Sequence, residues 1–446
     1  MNWVASRHEM VTIQCLEALE SAGIQTCLFH NRALFEEKSL SDLDVVVGTR
    51  DLRAVARVLD ATLRQTGGRL IQGIRHESTA CYFVGTYCDG AAVRFLKFDV
   101  ASDYRAVGGV FFSGSEFIES RVRSGDFWLS PVGLRFAYYL VKRLIKADIG
   151  PDQRQYLSGL YSQDAVQCDN QMLRLLALRD VTLIKGALSG RGWTDVLEDL
   201  PGIRRRLMWQ SFLNHPIGCA AYFPRDVVRR SWRVLFPTGL WVAFLGPDGS
   251  GKSTVLRLTK ERLEPAFRLT CDYHLRPGIV GPKGRAGAET APHSRPPRGI
   301  AGSIAKVGMM WIDYALGYIA RVRPRLVRST LVLFDRCFHD LAVDPLRYRY
   351  GGPRWLAAVA AKMAPKPDIF LVLDAPTESL QARKQEVASL ECERQRGEYR
   401  ELAARLGERA VVIDASRTLP AALDDALTAV LTRLHARTAR RWGLPV

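Results

Sequence analysis

Apolar residues change their spacing along the chain, and each change marks a different kind of element. Val11, Ile13, Leu16 and Leu19 recur on or near one face over residues 10–22, which predicts a short amphipathic helix, and the run 24–29 predicts a strand after it. Runs rich in β-branched and aromatic residues at 43–47 and 93–98 predict two more strands. From Ser130 to about residue 200 the spacing becomes three to four. Ser130 is placed as N-cap and Pro131 in the first turn of a helix over 131–146, and helical signals follow at 171–178 and 181–187. Beyond Pro237 the apolar residues fall in short continuous runs, at 240–245, 330–334, 369–373 and 410–413, separated by helix-like segments. Such strands are buried on both faces, so this part predicts a parallel sheet covered by helices.

The expected organisation is an α/β protein with an α+β domain over 1–130, a helical subdomain over 131–200, a basic connector over 201–237 and a parallel-sheet domain over 238–446. Its 446 residues exceed one ordinary core, and a 47% hydrophobic content is ample to fill several. The formal charge of +17 favours anionic partners, and alone it does not choose among nucleotides, nucleic acid, acidic glycans and a membrane surface. The connector sets Arg204, Arg205, Arg206, Arg229 and Arg230 among Trp209, Phe212, Tyr222, Phe223 and Trp232, a mixture that single-stranded nucleic acid can use. No recognition fold accompanies it, so docking on neighbouring elements is the better account and nucleic acid is not the expected partner. Nine cysteines without a C-x-x-C pair argue against a disulfide scaffold or zinc site and for a reducing compartment. The N-terminus has no apolar core of signal-peptide type, and no uncharged apolar run reaches about 18 residues. A cytoplasmic protein without a transmembrane segment is expected, with a homodimer and peripheral membrane association left open.

Chemistry-bearing residues gather at two places. Asp42 and Asp44 flank Leu43 at the start of a strand, where side chains two apart point to the same side, and Asp99 closes the run 93–98. Three carboxylates from adjacent strands would offer a divalent-metal platform of the kind used for nucleotidyl transfer. Over about residues 10–130 this resembles the nucleotidyltransferase superfamily, whose mark is a Gly-Ser or Gly-Gly turn, a D-x-D on the next strand and a later Asp. His30-Asn31-Arg32 stands at the turn in this chain. The resemblance implies Asp42, Asp44 and Asp99 as metal ligands; the residues themselves also allow a binding or scaffold domain, or an incidental acidic strand end.

The second place is Gly246-Pro247-Asp248-Gly249-Ser250-Gly251-Lys252-Ser253, between the strand 240–245 and a helix-like stretch through Leu263. It satisfies G-x-x-x-x-G-K-S/T in the strand–loop–helix context of a P-loop. Glycines let backbone N–H groups point at polyphosphate oxygens, and a helix N-terminus adds partial positive charge there. The expected nucleotide contacts are Gly246, Asp248, Gly249, Ser250, Gly251, Lys252, Ser253 and Thr254, with Lys252 reaching the β- and γ-phosphates and Ser253 ligating Mg²⁺. Asp335 ends a strand where such a sheet presents its chemistry. It is expected to orient metal-bound water or the acceptor while Arg336 holds a phosphate bidentately, a structural ion pair being the alternative.

The loop, the Asp335-Arg336 step, Pro367-Asp368 opening an apolar strand and the Arg-rich helix after it together resemble the thymidylate kinase group of nucleoside monophosphate kinases, over about residues 239–435. The resemblance implies Mg²⁺ and ATP as phosphoryl donor, a phosphate-bearing small molecule as acceptor, and a lid over 383–400 in which Arg383, Lys384, Arg394 and Arg396 are the candidate cations. Where those enzymes show an Arg-Glu-Pro type element, this chain has His274-Leu275-Arg276-Pro277, so His274 and Arg276 are the candidate acceptor ligands. A Pro-, Gly- and Arg-rich insert with His293, Arg295 and Arg298 follows, and the polar and aromatic stretch 339–353 can form an acceptor pocket. Chains joining these two kinds of domain resemble ones from bacterial cell-surface polysaccharide contexts, which keeps a sugar or glycan acceptor open beside a nucleoside monophosphate. The expected activity is ATP-dependent phosphotransfer; the alternatives are a nucleotidyltransferase with a regulatory P-loop domain and an ATP-dependent switch.

Overall fold

The computed structural model describes residues 6–29, 42–279, 296–383 and 388–445; His30, Asn31, Arg32, His293, Arg295 and Lys384 lie outside the described residues. The chain divides into two units, Met1–Arg229 with Arg437–Val446, and Arg230–Ala436. The basic connector consists of two helices, Leu200–Asn214 and Pro216–Leu235, and the division falls inside the second of them.

In the first unit the strands are β1 (Thr26–Leu28), β2 (Leu43–Val47), β3 (Leu70–Arg75), β4 (Ala80–Asp89), β5 (Ala92–Ala101), β6 (Asp103–Ala106), β7 (Gly109–Ser113), β8 (Val122–Ser124) and β9 (Phe127–Leu129). β6 and β7 form a ribbon, and the rest build a mixed sheet of order β3-β4-β5-β2-β1-β9-β8. The helix expected over 10–22 is Arg7–Ser21, started by Ser6, whose hydroxyl accepts from the Glu9 N–H. β2 shows how alternation divides the core. Val45 and Val47 join the cluster under Arg7–Ser21 and the helix Leu52–Gln65, while Val46 points to the opposite face with Leu134, Phe136, Leu140 and Leu144 of the helix Val132–Lys146. Burying each such side chain contributes about 1.5–3 kcal/mol. The second cluster continues through Leu157, Met172, Ile184 and Ile203 to Leu207 without a break, and the helices over 131–200 therefore belong to the same unit as the sheet.

Residues far down the chain close the edge of this sheet. Thr438 and Trp442, one helical turn apart on Leu419–Trp442, donate to the Ile71 and Gly73 carbonyls of edge strand β3 at 2.6 and 3.1 Å. Four helical residues rise about 6 Å and two strand residues about 6.6 Å, so the two spacings match. A Cβ at Gly73 would lie 2.3 Å from the Trp442 indole nitrogen, and the indole packs edge-on against Phe83.

The second unit is a five-stranded parallel sheet of β10 (Leu240–Leu245), β11 (Leu269–His274), β12 (Thr330–Asp335), β13 (Ile369–Asp374) and β14 (Ala410–Asp414), in the order β11-β12-β10-β13-β14. β10, β12 and β13 are buried almost throughout, as their unbroken apolar runs require. β10 sits between β12 and β13, so the chain crosses over on both sides of it. The carboxyl end of β10 is therefore the switch point at which an open α/β sheet forms its ligand crevice. No described helix is long and apolar enough to cross a membrane.

Candidate active site

β10 runs directly into the loop at Gly246. This residue takes φ of +139°, and a Cβ there would fall 2.2 Å from the Leu373 carbonyl oxygen, so a side chain would stop the loop from passing the end of β13. Gly251, at φ +80°, caps the helix Lys252–Leu263, whose first N–H groups, among them those of Ser253 and Thr254, find no acceptor within the helix. The loop is thus shaped as a cradle of amide donors at a positive helix end.

Lys252 is buried, and its ammonium donates to the Pro247 carbonyl at 2.6 Å. Burial, reinforced by the nearby Arg336 charge, pushes its pKa down to about 7 against the pull of Asp248, Asp335 and Asp340. Ser253 donates to Asp335 Oδ2 at 3.2 Å. Asp335 stands opposite Phe244 of β10 and His274 of β11 in the sheet register, and His274 Nδ1 lies 3.6 Å from the same oxygen. Burial would raise the Asp335 carboxyl, but the His274 hydrogen bond and the Lys252, His274 and Arg336 charges hold it below the usual carboxylate range. Its other oxygen, Oδ1, is buried without a hydrogen-bond partner among the described residues. A serine hydroxyl and an unfilled carboxylate oxygen beside a phosphate cradle are the hard oxygen donors that suit Mg²⁺.

Arg336 is placed differently from a phosphate clamp. At φ +65° it turns inward, and its guanidinium donates to Asp248 at 2.6 Å, Asp340 at 2.8 Å and the Tyr399 hydroxyl at 3.2 Å. Arg347 pairs with Asp248 from the other side and with Asp344 at 3.1 Å. Tyr348 and Tyr399 both donate to Asp340. Burial would raise Asp248, but Arg336, Lys252 and Arg347 bring it down to about 2. The stretch 339–353, expected as a pocket wall, thus contributes Asp340, Arg347 and Tyr348 to a buried brace that holds the loop through Asp248.

The remaining candidates are engaged elsewhere. Arg383 donates to the Ala415 carbonyl, Arg394 to Glu391 and the Val343 carbonyl, and Arg396 and Arg400 to Asp374 at the end of β13. Arg276 follows Leu275, whose φ is +63°, and its guanidinium lies 3.4 Å from fully buried Asp313; Ile279 N–H donates to the other Asp313 oxygen.

The carboxylates of the first unit do converge. Asp44 of β2 stands opposite Asp99 of β5, which lies inside its strand and not at the end, and Asp42 precedes β2 on the same side. Each has a donor: Tyr82 to Asp42 at 2.8 Å, Lys142 to Asp44 at 2.9 Å, and His76 3.3 Å from Asp99. Burial, then Asp44, lifts the Asp99 carboxyl to about 7, and burial raises Asp42. Among the described residues no three His, Cys, Asp or Glu side chains are disposed to hold a metal ion.

Comparison with known proteins bears on the P-loop. The chain is similar to the thymidylate kinase of Rhodopseudomonas palustris, 29% identical over 217 residues that span 44% of this chain and 90% of that enzyme. It is 30% identical to the thymidylate kinase of Xanthomonas campestris pv. campestris over 143 residues, 32% of this chain and 59% of that enzyme. A putative ABC transporter ATP-binding protein of Methanopyrus kandleri is 29% identical over 158 residues, 32% of this chain and 52% of that protein. No family model matches. The chain contains a P-loop kinase-like region. The long-range partners of that region, Tyr399 above all, carry no local signal in the sequence, whereas Asp340 and Arg347 lie in a stretch whose polarity already drew notice. In the first unit Lys142 reads as a helix residue, and only the fold brings it to Asp44.

Proposed function

We propose that the second unit transfers the γ-phosphoryl group of Mg·ATP to a phosphate-bearing small molecule, a nucleoside monophosphate or a sugar phosphate. The observation that carries this reading is Asp335 Oδ1, a buried carboxylate oxygen without a partner among the described residues, held beside Ser253 and the P-loop at the switch point of the sheet. Similarity to the two thymidylate kinases supports the kinase class, and it does not extend to their acceptor.

In this reading the loop amides and Lys252 bind the donor phosphates, and Ser253 with Asp335 would hold Mg²⁺, which offsets negative charge on those phosphates. His274, exposed at the end of β11, faces the acceptor side and keeps Asp335 ionised. Arg336 positions Asp248, and so the loop, instead of touching the acceptor. Positioning and charge stabilisation then supply the catalysis. The test is a mass-spectrometric screen of nucleoside monophosphates and sugar phosphates for a phosphate mass gained from Mg·ATP, with Lys252→Ala as control. A product that forms equally with the variant, or an ATPase without any phosphorylated acceptor, would overturn the proposal.

A further inference from the structure

The first unit encloses a cavity of about 190 Å³ whose walls come from three distant segments. The end of β3 supplies Arg75, β6 supplies Arg105, and the helix Pro216–Leu235 supplies Arg225 and Arg229. Against these four guanidiniums stand the carboxylates of Glu77 and Asp226, and Arg229 already donates to Asp226 and to the His76 carbonyl. Arg105 donates to Asp103 at 3.0 Å, yet its Nε is buried without a hydrogen-bond partner among the described residues.

Close backbone packing builds this arrangement. Gly108 in the β6–β7 turn has φ +87°, and a Cβ there would lie 2.4 Å from the Gly218 carbonyl oxygen and 2.8 Å from Tyr222 Cβ; one at Gly218 would lie 2.8 Å from the Gly108 carbonyl oxygen. Two glycines thus let the helix touch the turn, so that Arg225 and Arg229 line the same cavity as Arg105. Four guanidiniums against the two carboxylates of Glu77 and Asp226 leave the cavity wall with an excess of positive charge, and planar guanidinium donor pairs match a tetrahedral oxyanion. The volume is below the roughly 300–1,000 Å³ of sites that enclose drug-sized ligands, and it is enough for a phosphoryl group.

We propose that this cavity binds a phosphoryl dianion, either free phosphate or the head of a small phosphate monoester. His76, on the cavity wall and 3.3 Å from Asp99, links its occupancy to the β2–β5 carboxylates. The test is calorimetric titration of the full chain with inorganic phosphate and with glycerol 3-phosphate, in the parent and in a Lys252→Ala background that removes phosphate binding at the P-loop. Binding is expected to persist in Lys252→Ala and to weaken about tenfold or more when Arg225→Ala is added. Arg225 is exposed, so the variant should melt with the parent; Arg75→Ala, also at an exposed residue, provides a second arm. Tighter binding of the ester identifies the head of a larger molecule as ligand, and tighter binding of phosphate identifies the free ion. No heat with either probe at millimolar concentration in Lys252→Ala, or binding there that ignores both arginine substitutions, would overturn the proposal.

Discussion

Both units carry carboxylates on the strands of their sheets, and they partner them in different ways. In the first, Asp42, Asp44 and Asp99 each meet a donor from the protein itself, and the Lys142 ammonium sits on Asp44 next to Asp99. In the second, the cations around Asp335 are held by other groups, Lys252 by a carbonyl and Arg336 by Asp248 and Asp340, while one Asp335 oxygen has no donor among the described residues. Neighbouring buried carboxylates need a positive charge. Where each carboxylate meets a donor, as in the first unit, no oxygen is left over; where Asp335 Oδ1 has no donor among the described residues, there is a coordination position to fill. Convergence of acidic side chains is thus weaker evidence for a reaction site than an unfilled oxygen.

The largest expected effect tests the brace. Arg336→Ala leaves Asp248 and Asp340 buried without their shared cation and should cost about 3–5 kcal/mol in urea denaturation, with Arg336→Lys recovering only part because one ammonium cannot reach all three partners. A loss of activity at unchanged stability would instead make Arg336 a substrate ligand. Next, Lys252→Ala should lower phosphotransfer by roughly 10²–10³-fold, about 3–4 kcal/mol of transition-state stabilisation, at an unchanged Tm. Because burial holds Lys252 near pKa 7, bound phosphates should restore its proton, and nucleotide binding at about pH 8 should take up close to one proton. Calorimetry in two buffers of different ionisation enthalpy measures this uptake, which should vanish in the variant.

In the first unit, Lys142→Ala should destabilise by about 1.5–3 kcal/mol. If Lys142 stands where a cation would bind, Mn²⁺ should raise the Tm of this variant more than that of the parent; an equal or larger rise in the parent would break the contrast between the units. The smallest effect is a pH slope. Asp99, lifted from 3.8 to about 7, keeps in the folded unit a proton that the unfolded chain has lost, so its contribution to stability falls as pH rises through that window. Denaturation at about pH 5 and about pH 8 should show the decline, and Asp99→Asn should flatten it.

What could be read along the chain was whatever depends on near neighbours. The P-loop, its strand and its helix lie within some two dozen consecutive residues, and Asp335 is announced by the apolar run it ends. The D-x-D step fixes Asp42 and Asp44 on one side by alternation alone, although Asp99 proved to be inside its strand. Arg336 illustrates the limit. Its adjacency to Asp335 suggested a ligand, but its direction depends on a positive φ and on partners up to 88 residues away, neither of which leaves a periodic trace. Arg276 is similar: its partner Asp313 lies in a helix that reads only as apolar.

The cover on β3 has a consequence for how the protein is made. Synthesis must pass through the whole second unit before Thr438 and Trp442 emerge, on the order of ten to forty seconds for roughly 200 residues at about 5–20 per second. Throughout that interval the nascent first unit presents the Ile71 and Gly73 carbonyls as an uncapped sheet edge, the kind of surface on which another strand can pair. The edge of this sheet is finished only after the second unit has been made, and a nascent chain arrested in the second unit would be at its most aggregation-prone at that edge.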